Sequence, residues 1–503
     1  MSRSPADRRT PPWHAMARGA GLMDEAGALR STIFDETSAL ARRHDAVNLG
    51  QGFPDADGPE PMLAAAVDAI RGGANQYTPD RGLPALREAV AAQQLETQGR
   101  ELDPETEVIV SAGAAEGLAA SLLSVLRPGD EVVVLEPHYD LYAAVVAFAG
   151  GILRTVPLRP PEFRADPDEL RAAFGERTAA VLVNDPHNPT GMVLDRQTAR
   201  LIGELAVEHE AIILTDEVYE HLRHDGDHVS LAAGSSASPS SLLDAELADR
   251  VRARTLVVSS ASKTLRATGW RIGWVSGPAE LIRGVAVVKT YLSHSAPAPL
   301  QHAVAVGLRN LHPWAESLAA EQGERSALVA RALRGMGLAV AQPSGSYYVV
   351  ADFSPVLERF GATTSAQLSV ALIEQAGVAL LPLSAFASPG SRELYEGWMR
   401  VAACKSTPHS AGGHEAAGRG AALTSAAGVA AAPPSRRASA APLDRERPHF
   451  HPTPREWPIS HRFDVEAVRN RPLGAHEVRN RPLAVREVRN RPVAGAAIEL
   501  SGV

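Results

Sequence analysis

Between residues 108 and 276 the chain repeats one pattern: a short run of consecutive apolar positions, then a longer stretch with an apolar residue every third or fourth place. The short runs fall at 108–111, 131–135, 180–184, 211–215, 255–259 and 272–276, and are rich in Val and Ile. Unbroken apolarity over such lengths predicts strands covered on both faces. The stretches between them, such as 114–126 and 195–209, carry the helical period. Strand–helix alternation of this kind predicts an α/β fold with a mainly parallel sheet. Further on, helical patterns at 298–311 and 314–336 predict a long connection into a second, smaller α/β domain, with strands near 347–352 and 399–403. The longest apolar run, 143–153, is broken by Gly150 and Gly151 and falls short of the roughly 18 residues a membrane helix needs.

Composition narrows the setting. At 503 residues the chain exceeds one ordinary domain. Its one cysteine, Cys404, excludes an intrachain disulfide and suits a reducing compartment. The first residues carry arginines but no apolar stretch of signal-peptide length, so a cytoplasmic protein is expected. A net charge of -8 weighs against general nucleic-acid binding. Neither nucleic acid nor membrane is expected as a partner, and no metal site is expected. Residues 1–22 read as a flexible, irregular extension. Residues 406–503 change character, rich in Ala, Arg, Pro and Ser, with VRNRP starting at 468, 478 and 488. A ten-residue period with a proline in each unit fits none of the common solenoids, and a disordered tail is expected. Glu466, Glu477 and Glu487 dilute its charge as a basic arm.

Candidate chemistry gathers at strand ends. Ser260-Ala261-Ser262-Lys263 follows the run TLVVS, where α/β sheets place their ligands. Ser260 and Ser262 can donate to phosphate oxygens, and Arg271 lies just beyond, in TGWRIGW; the plainer alternative is a surface lysine before a turn. Asp216 ends another run, with Tyr219 shortly after. Such an acid is often a helix N-cap. It can equally pair with a protonated ring nitrogen and keep that ring an electron sink, with Tyr219 on a ring oxygen. Asn188, in NDPHNPTG, marks a turn or approaches that same oxygen. Gly113-Ala114-Ala115-Glu116-Gly117 opens a helix with small residues that let backbone N–H groups reach a phosphate. It is neither G-x-G-x-x-G nor a Walker loop, so nucleotide readings lack their motifs.

In order and spacing these pieces resemble the class I aminotransferases, the fold type I enzymes of pyridoxal 5'-phosphate (PLP), over roughly residues 30–405. The segments STIFDETSALA, NLGQGFPDADGP, NQYTP, EPHYDLY, PHNPTG, TDEVYEHL, SSASKTLRATGWRIGW and GVALLPLSAF look like the branch that holds kynurenine, glutamine and methionine aminotransferases and actinobacterial N-succinyldiaminopimelate aminotransferases. The resemblance implies an aspartate aminotransferase-like fold. A segment 23–50 would join the small domain, 51–295 would form a large PLP-binding domain on a seven-stranded-type sheet, and 296–405 the small domain. It implies that Lys263 carries the cofactor, Asp216 pairs with its pyridine nitrogen, and Asn188 and Tyr219 meet its ring oxygen. Tyr139 would stack on the ring. Ala114, Ala115, Ser260, Ser262 and Arg271 would hold the phosphate, and Tyr77 would reach the phosphate of a neighbouring subunit, implying a homodimer. Gly52 would contact the substrate through its backbone, Asn188 would also bind substrate, and Arg400, in WMRVAACK, would clamp the substrate α-carboxylate.

The activity so implied moves an amino group from an amino acid to a 2-oxo acid, 2-oxoglutarate foremost, by a ping-pong route. N-succinyl-LL-2,6-diaminopimelate is the expected donor. A kynurenine-, glutamine- or methionine-type transaminase with cysteine S-conjugate β-lyase activity is the alternative. A transcription regulator built on the same scaffold would need a helix-turn-helix domain in front, and only about 30 residues precede the match. An inactive scaffold would not be expected to keep Lys263, Asp216, Tyr219, Asn188, Arg271 and Arg400 together. Two departures stand out. The family's chain continues past the Arg400 strand into a final helix, where this one runs into Ser406-Thr407-Pro408. His294 stands where relatives often carry an aromatic residue near the substrate, as a pocket wall or a surface group.

Overall fold

The computed structural model describes residues 11–24, 26–225, 228–233 and 243–405. The expectations for 406–503, including its repeats, lie outside the described residues, as do residues 1–10 of the N-terminal extension. The strands are β1 (Val47–Asn48), β2 (Val108–Ser111), β3 (Glu131–Glu136), β4 (Ile152–Arg159), β5 (Arg164–Ala165), β6 (Thr178–Asn184), β7 (Ile212–Asp216), β8 (Thr255–Ser260), β9 (Gly273–Ser276), β10 (Ala339–Val340), β11 (Tyr348–Asp352), β12 (Val378–Ala379), β13 (Leu381–Pro382) and β14 (Trp398–Ala402).

Among the described residues the central sheet has eight strands in the order β2-β9-β8-β7-β6-β3-β4-β5. From β8 through β7, β6 and β3 to β4 every pairing is parallel, while β9 runs antiparallel to both its neighbours. The sheet thus has one strand more than the seven-stranded type expected, because the short β5 pairs antiparallel with the last two residues of β4, Leu158 and Arg159. Successive residues of the inner strands bury into different helical layers. Val133, Val181 and Ile213 join Leu201, Ile202 and Leu205 of the helix Arg196–Glu208. Val134, Leu182, Leu214 and Val258 join Leu118 and Leu122 of the helix Ala114–Val125 and Ile282 of the helix Ala279–Leu292. Each such side chain contributes about 1.5–3 kcal/mol by leaving water, which holds the strand ends, and the groups on them, in fixed positions.

A second sheet, β10-β11-β14-β13, is antiparallel, and β1 pairs with β12. The long connection is two helices, Ala298–Arg309 and Leu311–Gly335. One expectation is corrected: residues 13–19, counted as irregular extension, form the helix Trp13–Gly19. It packs on the helix Asp140–Phe148 so closely that a Cβ on Gly19 would lie 2.4 Å from the Ala143 carbonyl oxygen.

Candidate active site

The carboxyl ends of β6, β7 and β8 deliver Asn184, Asp216 and Ser260 to one cavity of about 460 Å³. Its lining also includes Lys263, Tyr139, Asn188, Tyr219, Arg271, Gly52 and Arg400. Lys263 sits in the one-turn helix Ala261–Thr264, which Ser260 caps by accepting from the Ser262 N–H at 3.3 Å. The Lys263 ammonium donates to the Gly52 carbonyl at 3.1 Å, and Tyr347 Oη donates to the same oxygen. Burial lowers the Lys263 pKa to about 8, with further depression from Arg400 and Arg271 against the pull of Asp216.

Asp216 is buried, and desolvation raises its pKa to about 6. Tyr142 Oη donates to Asp216 Oδ2 at 2.6 Å, while Oδ1 has no hydrogen-bond partner among the described residues. A buried oxygen left in that state costs about 1–3 kcal/mol, so it marks a place for a donor. The turn after β6 is fixed by Asn184, whose Nδ2 donates to the Asp216 carbonyl (2.8 Å) and whose Oδ1 accepts from the Asn188 N–H (2.7 Å). Asn188 Oδ1 in turn accepts from Arg400 Nη1 at 2.8 Å, and Arg400 Nη2 donates to the Gly50 carbonyl at 2.6 Å. The Arg400 guanidinium is buried between the rings of Tyr348 and Phe386, 4.2 and 4.5 Å from their centroids. Tyr219 Oη lies 3.3 Å from Tyr348 Oη, and burial pushes the Tyr219 phenol well above its usual range.

Ala114 and Ala115 open the helix Ala114–Val125, whose first N–H groups have no partner within the helix. Gly113 before them takes φ 80°, and a Cβ there would lie 2.3 Å from Arg271 Nη2, so the guanidinium rests against the bare backbone. Tyr139 is the residue before the helix Asp140–Phe148, half-buried on the cavity wall. Tyr77 is the exception among the expected site residues. It is 85% exposed and packs edge-on against His294, 5.4 Å between centroids, and neither residue lines the cavity.

Several residues at this site escape sequence reasoning. Tyr142 lies three positions after Tyr139, one turn along the same helix, and the i, i+3 spacing is the available signal. Tyr348 and Phe386 flank Arg400 from β11 and from the turn Leu383–Phe386, elements that no local motif links.

A family model described as aminotransferase class I and II matches residues 44–410. The chain belongs to that family. It is a PLP-dependent transaminase with the aspartate aminotransferase-like fold. It is 46% identical to "Probable N-succinyldiaminopimelate aminotransferase DapC" of Mycobacterium tuberculosis over 364 residues, 72% of this chain and 87% of that protein. It is 35% identical to a methionine aminotransferase of Escherichia coli over 359 residues, 71% of this chain and 88% of that one. The solved structure of N-succinyldiaminopimelate aminotransferase from Mycobacterium tuberculosis superimposes with a TM-score of 0.70 at 42% identity, covering 79% of this chain and 97% of the other.

Proposed function

We propose that the cavity binds PLP on Lys263 and transfers the amino group of N-succinyl-LL-2,6-diaminopimelate to 2-oxoglutarate. The observation that carries the site assignment is the buried Asp216 Oδ1 on the cavity wall, without a hydrogen-bond partner among the described residues, the acceptor a protonated pyridine nitrogen requires. The residues present fit the rest of the cofactor. Asn188 and Tyr219 would hold its ring oxygen and Tyr139 would cover its face. The Ala114 and Ala115 N–H groups, Ser260, Ser262 and Arg271 would hold its phosphate. The choice of donor rests on the 46% identity to the DapC protein, against 35% to the methionine enzyme.

When bound, PLP supplies an electron sink for the pair left on the substrate Cα once its proton is removed. The chain's own groups prepare that event. Asp216 has to be ionised, and lies on that side of its titration above about pH 6. Burial, by lowering the Lys263 pKa to about 8, makes the neutral amine that would take the Cα proton more accessible near neutral pH than in an ordinary lysine. Arg400 offers its planar fork to the α-carboxylate, exchanging contacts with Asn188 and the Gly50 carbonyl for the substrate. Gly52 lines the substrate side by backbone alone, since a Cβ there would lie 2.0 Å from Tyr348 Oη.

The reading extends to a homodimer, in which the exposed Tyr77 reaches the phosphate site of the partner subunit. Tyr291 and Leu292, near His294 in sequence, are exposed as well. It also puts the enzyme in the cytoplasm, in keeping with one buried, free cysteine. No described helix is long and apolar enough to cross a membrane.

The test offers a panel of donors with 2-oxoglutarate and measures glutamate. N-succinyl-LL-2,6-diaminopimelate should give the highest kcat/KM. Preference for methionine, kynurenine or glutamine would transfer the assignment to the alternative, as would pyruvate and ammonia released from a cysteine S-conjugate without any oxo acid. Glutamate from none of these donors would overturn both.

A further inference from the structure

Directly behind Asp216 lies a buried charged cluster that the transamination scheme does not use. Glu217 follows Asp216 at the end of β7, and Asp185 follows Asn184 at the end of β6. Both carboxylates are buried, and His228 is buried between them. Its Nε2 is hydrogen-bonded to Glu217 Oε2 at 3.1 Å, whereas its Nδ1 lies 3.4 Å from Asp185 Oδ2 in an ion-pair contact without hydrogen-bond geometry. Ser230 Oγ donates to the other Glu217 oxygen at 2.6 Å. Gln98 brackets the segment, donating to the His228 carbonyl at 3.0 Å and accepting from the Ser230 N–H at 2.9 Å.

We propose that His228 is a positioning residue for the cofactor site: hydrogen-bonded to Glu217 through Nε2 and lying against the Asp185 carboxylate through Nδ1, it holds the ends of β7 and β6 together, and with them Asp216 and the Asn184–Asn188 turn. The connections are short. Asp185 N–H and Asn184 Nδ2 both donate to the Asp216 carbonyl, at 3.1 and 2.8 Å. Asn184 Oδ1 holds the Asn188 N–H, and Asn188 Oδ1 holds Arg400. Displacement of either strand end therefore reaches both the ring-nitrogen partner and the carboxylate clamp.

Two buried carboxylates facing one another repel strongly unless a cation stands between them. Against the cost of burial, hydrogen bonding and charge from Glu217, with Asp185 and Glu220, raise the His228 pKa to about 9, so the ring is an imidazolium at neutral pH. The other titratable groups facing this cluster are His221, whose pKa burial lowers, Arg100, which favours the ionised Glu217, and Arg223, which together with His228 opposes the upward push that burial gives the Asp185 carboxyl. Despite its burial, the Glu217 carboxyl is held below its usual range by the hydrogen bonds from His228 and Ser230.

This inference rests on the PLP reading. Its test measures PLP dissociation constants of apoprotein by equilibrium dialysis and KM for the donor, for wild type, His228→Gln and the double variant His228→Gln/Asp185→Asn. His228→Gln leaves two like charges without a bridge, and should weaken PLP by at least about tenfold and raise KM. The double variant removes one of those charges and gives the introduced glutamine amide a neutral partner. It should bind PLP within about threefold of wild type. That rescue distinguishes charge bridging from mere space filling, and it supports the inference even where the single variant does not fold. A His228→Gln protein that binds PLP as wild type does, or a double variant that binds no better than the single one, would overturn the inference alone. A wild-type protein that takes up no PLP would overturn the functional reading, and this inference with it.

Discussion

Tyr142→Phe isolates one hydrogen bond at the centre of the site. Tyr142 Oη donates to Asp216 Oδ2 at 2.6 Å, both groups are buried, and the ring packs among Val145, Leu182 and Leu214. The substitution keeps that packing and removes only the donor. Burial already raises the Asp216 pKa to about 6, and the Tyr142 bond is the largest influence opposing it. A hydrogen bond to a charged group is worth about 1.5–3 kcal/mol, and about 1.4 kcal/mol shifts a pKa by one. The Asp216 midpoint should therefore climb from about 6 to between about 7 and 8. At pH 7 the ionised fraction would fall from about nine-tenths to between about one-half and one-tenth. Ionised Asp216 attracts the protonated cofactor nitrogen, so affinity is present above the midpoint and is lost as pH falls through it. The assay titrates apoprotein with PLP from pH 5 to 9 and follows the visible absorbance. The variant's affinity profile should move to higher pH by one to two while its melting temperature changes little. A profile superimposable on that of wild type would refute the argument that Tyr142 holds Asp216 ionised.

Arg400→Ala should raise KM for both amino donor and 2-oxo acid by about 100-fold, the equivalent of about 3 kcal/mol for a charge-assisted fork, with cofactor absorbance retained; unchanged KM values would place the carboxylate elsewhere. Gly113→Ala puts a Cβ 2.3 Å from Arg271 Nη2 at a backbone φ of 80°, and should weaken PLP at least about tenfold by dislodging that guanidinium. Equilibrium dialysis giving the wild-type constant would remove Arg271 from the phosphate site. Lys263→Ala should abolish turnover in every donor assay, and a purified variant with wild-type rates would contradict the role given to the lysine.

The parts of the fold legible in the sequence are those where burial on both faces makes a run unbroken. Residues 108–111 and 255–259 read as strands because every position is buried. β4 does not, since ILRTVPLR alternates apolar residues with arginine and threonine and its first half is only partly covered. The helix Trp13–Gly19 is invisible in the sequence because its support is tertiary: small residues such as Gly19 make sense only against Ala143 and Ala147. The same division runs through the site. Asp216, Asn188 and Lys263 follow strand ends, so local pattern points to them. Arg400 lies mid-strand in β14 and stands out only through family likeness. The Tyr348 and Phe386 rings around it, and the His228 bridge, depend on side-chain directions across elements far apart in sequence, which no local signal carries.

Transamination at this site requires that one lysine, Lys263, bond to the cofactor. Holoprotein treated with borohydride and digested for mass spectrometry measures this directly. A visible absorption band should disappear on reduction, with the added mass of one reduced phosphopyridoxyl group on Lys263. A colourless protein after incubation with PLP, or the mass on another lysine, would contradict it.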